Sequence, residues 1–273
     1  MHSDIRLSAS RLIRDSFVYL KMPDALISMF DLITASFESV ESSQKQEFSF
    51  ESETDGFLPF GLEYVDSPAR PDLCERFCYW QARHQVHQKF SVAGTEFYNA
   101  VSAYELAINT LAQDLLDAIC QNLGGSAQAA VRNNSYLQFC VYKPDYRRTD
   151  REYLQDPHED GHLLSFIKPT LPGLILLPPS GPIPAMPAPD QIVVLAGSLL
   201  EALTDGEVRA MHHAVRNPDA PVLRKSLLYF VNPNLAVPSR SLIEHNLIDL
   251  VGLVESHHTS FGNSRPRKSH LTK

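Results

Sequence analysis

Between Pro178 and Pro189 the chain carries six prolines and Gly181, so this segment can be neither a helix nor a central strand. It reads as a surface hairpin loop. The runs around it are short, apolar and of β type. They are Tyr136 to Tyr142, ending at Lys143-Pro144; Ile192 to Leu195, followed by the turn Ala196-Gly197-Ser198; and the stretch from Arg224-Lys225-Ser226 to Phe230-Val231. Many short strands punctuated by Pro and Gly turns are compatible with a double-sheet β architecture.

Chemistry-bearing residues cluster around the same segment. His158 and Asp160 stand two apart, and on an extended strand they would project to one side and grip one ion together. His162, His212 and His213 are the nearby imidazoles from which a third ligand could come. Two imidazoles and one carboxylate form an N,N,O face that suits Fe(II) and leaves positions open for co-substrate and oxygen. Glu159, between His158 and Asp160, would point away from the metal. Arg224 and Ser226, also two apart, can hold one carboxylate by a charged fork and a hydroxyl.

In these residues the chain resembles the 2-oxoglutarate- and Fe(II)-dependent oxygenases, in particular the isopenicillin N synthase-like branch. The resemblance is carried by His158 to Phe166, Gly173-Leu174, Ala196 to Gly206, His213-Ala214-Val215, and Arg224-Lys225-Ser226 leading to Phe230-Val231-Asn232-Pro233. Order, spacing and flanking context agree with the family pattern. The resemblance implies His158, Asp160 and His213 as metal ligands, because the family's second histidine is followed by Arg-Val and His213 is followed by Ala214-Val215. It implies that Arg224 and Ser226 hold the distal carboxylate of 2-oxoglutarate, with Tyr142 helping at the end of its strand. Cys140 stands where the family carries Asn, and a thiol cannot replace an amide's paired donor and acceptor. A carboxylate at Asp160 argues against halogenation, since the halogenating relatives have Gly or Ala there.

The implied fold is mainly β with flanking α-helices, around a double-stranded β-helix, or jelly-roll, core. The expected organisation is one oxygenase domain over 1–273. It comprises a helical N-terminal region with substrate-lining strands over 1–125, an iron-binding jelly-roll over 134–233, a C-terminal helix over 239–261 and a flexible tail over 262–273. Before the core, the spacing predicts a short helix from Arg6 to Arg14, a strand over Phe17 to Leu20, a helix from Pro23-Asp24 and an exposed polar connection over Ser39 to Asp55. A strand over Cys74 to Trp80 follows. The clearest helix runs from Thr95, its N-cap, to Leu123, stopped by Gly124-Gly125. Trp80, Arg76, Arg83, His84 and His87 are pocket candidates, each against the plainer alternative of core packing or solvated surface. Charged residues from Asp145 to Asp156, among them Arg147, Arg148 and Arg151, are either a solvated loop or contacts for an anionic substrate.

Composition limits the partners. A net charge of −8 argues against a nucleic-acid or anionic-membrane surface. The cysteines Cys74, Cys78, Cys120 and Cys140 form no zinc pattern and fit a reduced setting. Neither a signal sequence nor a membrane-length apolar run is visible, which predicts a cytoplasmic protein. The expected function is an oxygenase that uses Fe(II), 2-oxoglutarate and O2, with ascorbate as supporting reductant. It would hydroxylate, desaturate or cyclise a small, carboxylate-bearing metabolite, in a bacterial biosynthetic pathway, as a monomer or homodimer. The alternatives are an oxidase of the same branch that does not use 2-oxoglutarate, whose Arg224 and Ser226 would hold the substrate's own carboxylate, and a non-catalytic jelly-roll binding protein.

Overall fold

A computed structural model describes residues 2–65, 67–125, 134–235 and 239–260. The helices are α1 (His2–Asp15), α2 (Asp24–Ser36), α3 (Ser42–Glu47), α4 (His84–His87), α5 (Glu96–Asn122), α6 (Ser198–Leu203) and α7 (Leu250–Ser260). The strands before the core are β1 (Phe17–Lys21), β2 (Ser49–Phe50), β3 (Asp55–Leu58) and β4 (Glu75–Trp80). Those of the core are β5 (Tyr136–Tyr142), β6 (Tyr153–His158), β7 (Leu164–Pro169), β8 (Leu174–Leu176), β9 (Ile183–Pro184), β10 (Gln191–Ala196), β11 (His213–Arg216) and β12 (Arg224–Val231). A small hairpin, β13 (Ser239–Arg240) and β14 (Leu247–Ile248), precedes α7.

From β5 to β12 the chain alternates between two antiparallel sheets. The larger sheet has the order β1-β10-β7-β12-β5-β4-β3-β2, and the smaller one β6-β11-β8-β9. This winding makes the expected double-stranded β-helix. The N-terminal strands extend its larger sheet at both edges. The proline-rich hairpin is where the sequence placed it, with the short edge strand β9 paired to β8.

Alternation along β5 and β12 sorts side chains between two environments. Leu137, Phe139, Val141, Leu227, Tyr229 and Val231 join the main apolar core. Tyr136, Gln138, Cys140, Tyr142, Arg224, Ser226 and Phe230 take the other face, between the two sheets. The outer face is covered by α5, whose apolar residues recur at helical spacing and whose N-cap Thr95 accepts a hydrogen bond from the Tyr98 amide at 3.2 Å. The Tyr229 hydroxyl donates to Asn109 of α5 at 2.9 Å, and Phe97 of α5 packs edge-on against Phe77 of β4, centroids 4.9 Å apart.

Two expectations need correction. The Ser39 to Asp55 stretch is not simply an exposed connection. It folds into α3 and β2, with a capping box between Glu41 and Gln44, because Phe48 anchors it, fully buried against His87, Phe77 and Tyr98. The helix expected from Ser239 starts only at Leu250, where the Asp249 side chain accepts the Gly252 amide at 2.9 Å. Before it lies the β13–β14 hairpin: Leu242 is buried and its amide donates to the Leu203 carbonyl at 2.8 Å, while Ile243 and Leu247 are exposed. Their apolar spacing is therefore not the buried stripe of a helix. The tail over 262–273 lies outside the described residues, as do the side chains of His257 and His258, which the sequence suggests are at the surface.

Candidate metal centre and its cleft

His158 closes β6, His213 opens β11, and the register of these antiparallel strands sets the two residues directly opposite each other. Cross-strand partners approach closely, and the two rings lie 4.4 Å apart, centre to centre. Asp160 sits beyond the end of β6, so strand alternation alone does not aim it. Its loop is held instead by the start of α6: the Ser198 amide donates to the Asp160 carbonyl at 2.9 Å, and the Leu199 amide to that of His162 at 3.2 Å. This approach needs Gly197, since a Cβ there would overlap the His162 carbonyl oxygen and lie 2.7 Å from that of Asp160.

The three side chains converge. Nε2 of His158 lies 3.7 Å from Oδ1 of Asp160, and Nε2 of His213 lies 3.7 Å from Oδ2. One donor atom from each falls within 4.8 Å of the others, and this trio is the metal-competent grouping found among the described residues. The tautomers follow from the neighbours. Nδ1 of His158 meets the Asp156 carbonyl at 2.8 Å and Nδ1 of His213 meets that of Met211 at 3.3 Å. A carbonyl only accepts, so each Nδ1 carries the proton and each Nε2 presents its lone pair to the centre.

The electrostatics suit a cation. Burial pushes the His213 imidazole down to about 4, against the pull of Asp160, so the ring is neutral and free to offer a lone pair. Burial works to raise the Asp160 carboxyl, but His213, His158 and His162 outweigh it and hold the group below its ordinary value. Oδ2 of Asp160 is buried and accepts no hydrogen bond. A divalent ion would satisfy it. His212 is exposed, near Glu159 at 3.7 Å, and outside the trio, and Glu159 points away from the centre as expected. His162 instead packs on Phe230, its Nδ1 3.0 Å from Asn232.

Further along the same interior, β5 and β12 pair Tyr142 with Arg224 and Cys140 with Ser226. The Arg224 guanidinium lies 5.1 Å from the centre of the Tyr142 ring. Arg224 and Ser226 are both buried, yet Nε and Nη1 of the arginine and Oγ of the serine have no hydrogen-bond partner. Burial also pulls the guanidinium below its ordinary pKa, as expected of a dry cation short of a full counter-charge. Gly173, at φ +130°, takes a backbone conformation that L side chains rarely adopt, next to the Arg224 side chain. The unpartnered guanidinium donors and the hydroxyl fit a carboxylate. Burial raises the Tyr142 phenol, which stays protonated and donates to Gln155 at 3.3 Å.

The cleft beside the ligands is lined by residues that sequence reasoning mostly missed, including Glu63, Tyr64, Asp72, Tyr136, Gln138 and Gln155. Period-two alternation from Tyr142 back through Cys140 to Gln138 and Tyr136 was a usable signal for the strand residues. Nothing local marks Glu63 and Asp72, which are placed by a loop between β3 and β4. Of the earlier candidates, Arg76 is built into this wall, bound to Glu63 at 2.9 Å and Asp72 at 2.5 Å. Trp80 backs the cleft indirectly: its ring stacks on Tyr136 at 4.2 Å and its indole N–H donates to the Thr54 carbonyl at 2.9 Å. Arg83, His84 and His87 belong to a separate network, in which Arg83 and His87 bind Asp55 and His84 meets Tyr79 and Tyr98. Arg147 and Arg151 are tied to the loops, Arg147 to the Pro218 carbonyl and Arg151 to Asp156.

No protein-family model matches the sequence. Among curated relatives, 1-aminocyclopropane-1-carboxylate oxidase 4 of Solanum lycopersicum is 30% identical over 170 residues, 55% of this chain and 51% of that protein. The chain spans about half the length of the curated relatives it matches, such as those from Solanum lycopersicum and Cucumis melo. Among solved structures, the full-length Neurospora crassa protein in complex with alpha-KG and thymine superposes with a TM-score of 0.75 at 18% identity, covering 95% of this chain and 92% of that one. The dioxygenase for auxin oxidation in rice superposes with a TM-score of 0.73 at 16% identity, covering 100% and 95%. At such identities the structural likeness is one of fold. Taken with the sequence match, it is consistent with the 2-oxoglutarate- and Fe(II)-dependent oxygenase superfamily that the sequence resembles.

Proposed function

We propose that this protein is a non-haem Fe(II)- and 2-oxoglutarate-dependent oxygenase that hydroxylates, desaturates or cyclises a small metabolite. The observation that carries the reading is the pairing of two features in one interior. A buried His158–Asp160–His213 trio presents two lone pairs and a carboxylate, and a dry Arg224–Ser226 pair has donors left over. The alpha-KG bound to a protein of the same fold supports the choice of co-substrate.

His158 and His213 would hold the metal through Nε2, their rings oriented by the Asp156 and Met211 carbonyls, with Asp160 as the anionic ligand. Arg224 and Ser226 would take the distal carboxylate of 2-oxoglutarate, and the Tyr142 hydroxyl would add a third donor by leaving Gln155. Bound together, Fe(II), 2-oxoglutarate and O2 supply the oxidising power, with the keto acid decarboxylated to succinate. The rest of the chain positions the substrate and keeps water out: Tyr136 and Phe230 wall the cleft, with their rings 4.9 Å apart.

Oxygen uptake and succinate release with Fe(II), ascorbate and 2-oxoglutarate test this directly. Succinate is expected from the wild type and not from His213→Ala. The similarity to a protein named as an oxidase favours one other reading, in which 2-oxoglutarate is not used. Oxygen uptake without succinate would select it.

A further inference from the structure

The wall of the cleft carries more negative charge than positive. Glu63 and Asp72 reach it from the loop between β3 and β4 and share one guanidinium, that of Arg76, through Oε2 and Oδ2 respectively. All three side chains are nearly inaccessible, Asp72 at 3% and Arg76 at 1%. Two carboxylates meet at this one guanidinium in a dry setting, where charge is poorly screened. The second oxygen of Asp72, Oδ1, is buried and accepts no hydrogen bond. A buried carboxylate oxygen without a donor is costly, and the cost is recovered only when a donor reaches it. Gln138, on the same wall, has soft partners: its amide donates to Cys140 sulfur at 3.3 Å, and its carbonyl accepts from Cys78 sulfur at 3.8 Å. Thiols are weak partners, so this amide can turn to a ligand at little loss.

We propose that the substrate is recognised through a nitrogen function rich in N–H donors, offered to Asp72 with Glu63 and Gln138 beside it, and that the cleft rejects anions. This rests on the oxygenase reading of the same site and revises the carboxylate-bearing substrate expected from sequence. Both a cationic amine or guanidine and a neutral ring with amide-type N–H groups carry the required donors. A carboxylate placed there would face Asp72 and Glu63, and rejection of a mispaired group in a buried polar site is steep.

The test is equilibrium binding to the full chain by ligand-observed NMR, with Zn(II) in place of iron so that turnover plays no part, and with saturating 2-oxoglutarate so that the Arg224–Ser226 pair is not free to take a probe's carboxylate. The probes are uracil, a neutral ring with two N–H donors; agmatine, a guanidinium; and orotate, which is uracil bearing a carboxylate. Saturable binding of uracil or agmatine, with orotate at least tenfold weaker, is expected, and the tighter of the two tells which nitrogen function the cleft takes. Asp72→Asn should weaken the preferred probe by about tenfold to a hundredfold, the range for hydrogen bonds to a charged group. If that variant does not fold, Glu63→Gln should narrow the uracil-to-orotate ratio, and the wild-type ratio needs no variant. Orotate binding as tightly as uracil, no saturable binding of either nitrogen probe, or an unchanged ratio in a folded variant overturns the proposal. Succinate release is scored separately. Its absence alongside a clear preference for nitrogen probes would remove the co-substrate reading and leave this one standing.

Discussion

His213 and Asp160 are suited to ligate a metal because neighbouring atoms have already decided their protonation and aim. Removing either leaves two ligands for a site that needs three. His213→Ala and Asp160→Ala are expected to weaken Fe(II) binding by on the order of a hundredfold or more, since the loss of mere supporting contacts already costs 10- to 100-fold. Anaerobic titration with Fe(II) checks this. Arg224 makes a different demand. Its unpaired Nε and Nη1 are fixed donors of one planar guanidinium, and lysine keeps the charge but not that fixed set of donors. Arg224→Lys should raise the 2-oxoglutarate concentration for half-maximal succinate release by about tenfold, consistent with losing one charge-assisted hydrogen bond, while Fe(II) affinity stays as in the wild type. An unchanged requirement would place the co-substrate elsewhere.

At the scale of elements, the site depends on how the β10–α6 turn meets the loop after β6. Gly197 has no room for a Cβ between the His162 and Asp160 carbonyls, and that loop carries Asp160. Gly197→Ala is expected to lower stability by about 1–3 kcal/mol, the usual range for overpacking, and to weaken Fe(II) binding although residue 197 touches no metal. A variant with wild-type Fe(II) affinity would mean that the loop yields without moving Asp160. The covering helix offers a control far from the metal. Thr95→Ala removes the N-cap of α5 and should cost about 1 kcal/mol by urea denaturation, with Fe(II) binding unaffected.

For the whole molecule, burying an imidazole makes stability depend on pH. In the folded, metal-free chain His213 protonates only near about 4, against an ordinary value of 6.5. As pH falls through 6.5 the unfolded chain therefore takes up its proton first, and the folded state loses stability until it too protonates near 4. The depressed Asp160 carboxyl acts in the same direction at lower pH, where its stabilisation is lost as it protonates. The imidazole contribution is at most about 3 kcal/mol. Urea midpoints of the apo chain between pH 7 and 4.5 should fall more steeply for the wild type than for His213→Asn. Parallel slopes would show that His213 is not buried as a neutral ring.

Much of this organisation is local and so could be read from residue order. The six prolines of the hairpin, the β-type runs of β5 and β12, and the capped apolar spacing of α5 each follow from short-range sterics, alternation or helix periodicity. The pairing of Arg224 with Ser226 was legible for the same reason, since residues two apart on extended chain share a side; the same rule anticipated His158 with Asp160, but it is the start of α6 that holds the Asp160 loop. The choice of His213 came from resemblance rather than from spacing. What brings it to His158 is the β6–β11 register, a contact between distant parts of the chain that no local pattern encodes. The same limit hid Glu63 and Asp72, whose loop is polar and unremarkable until folding sets it against Arg76 and the cleft. It also misplaced the start of α7, where apolar spacing alone could not show that Leu242 is buried, its amide bound to the Leu203 carbonyl, while Leu247 faces water. The sequence by itself therefore determined the strands, the turns and the chemical kinds of group available. Which of those groups meet, how dry they are and what charge the cleft presents were decided by the tertiary structure, because burial and cross-strand register belong to the assembled sheets and to no single segment.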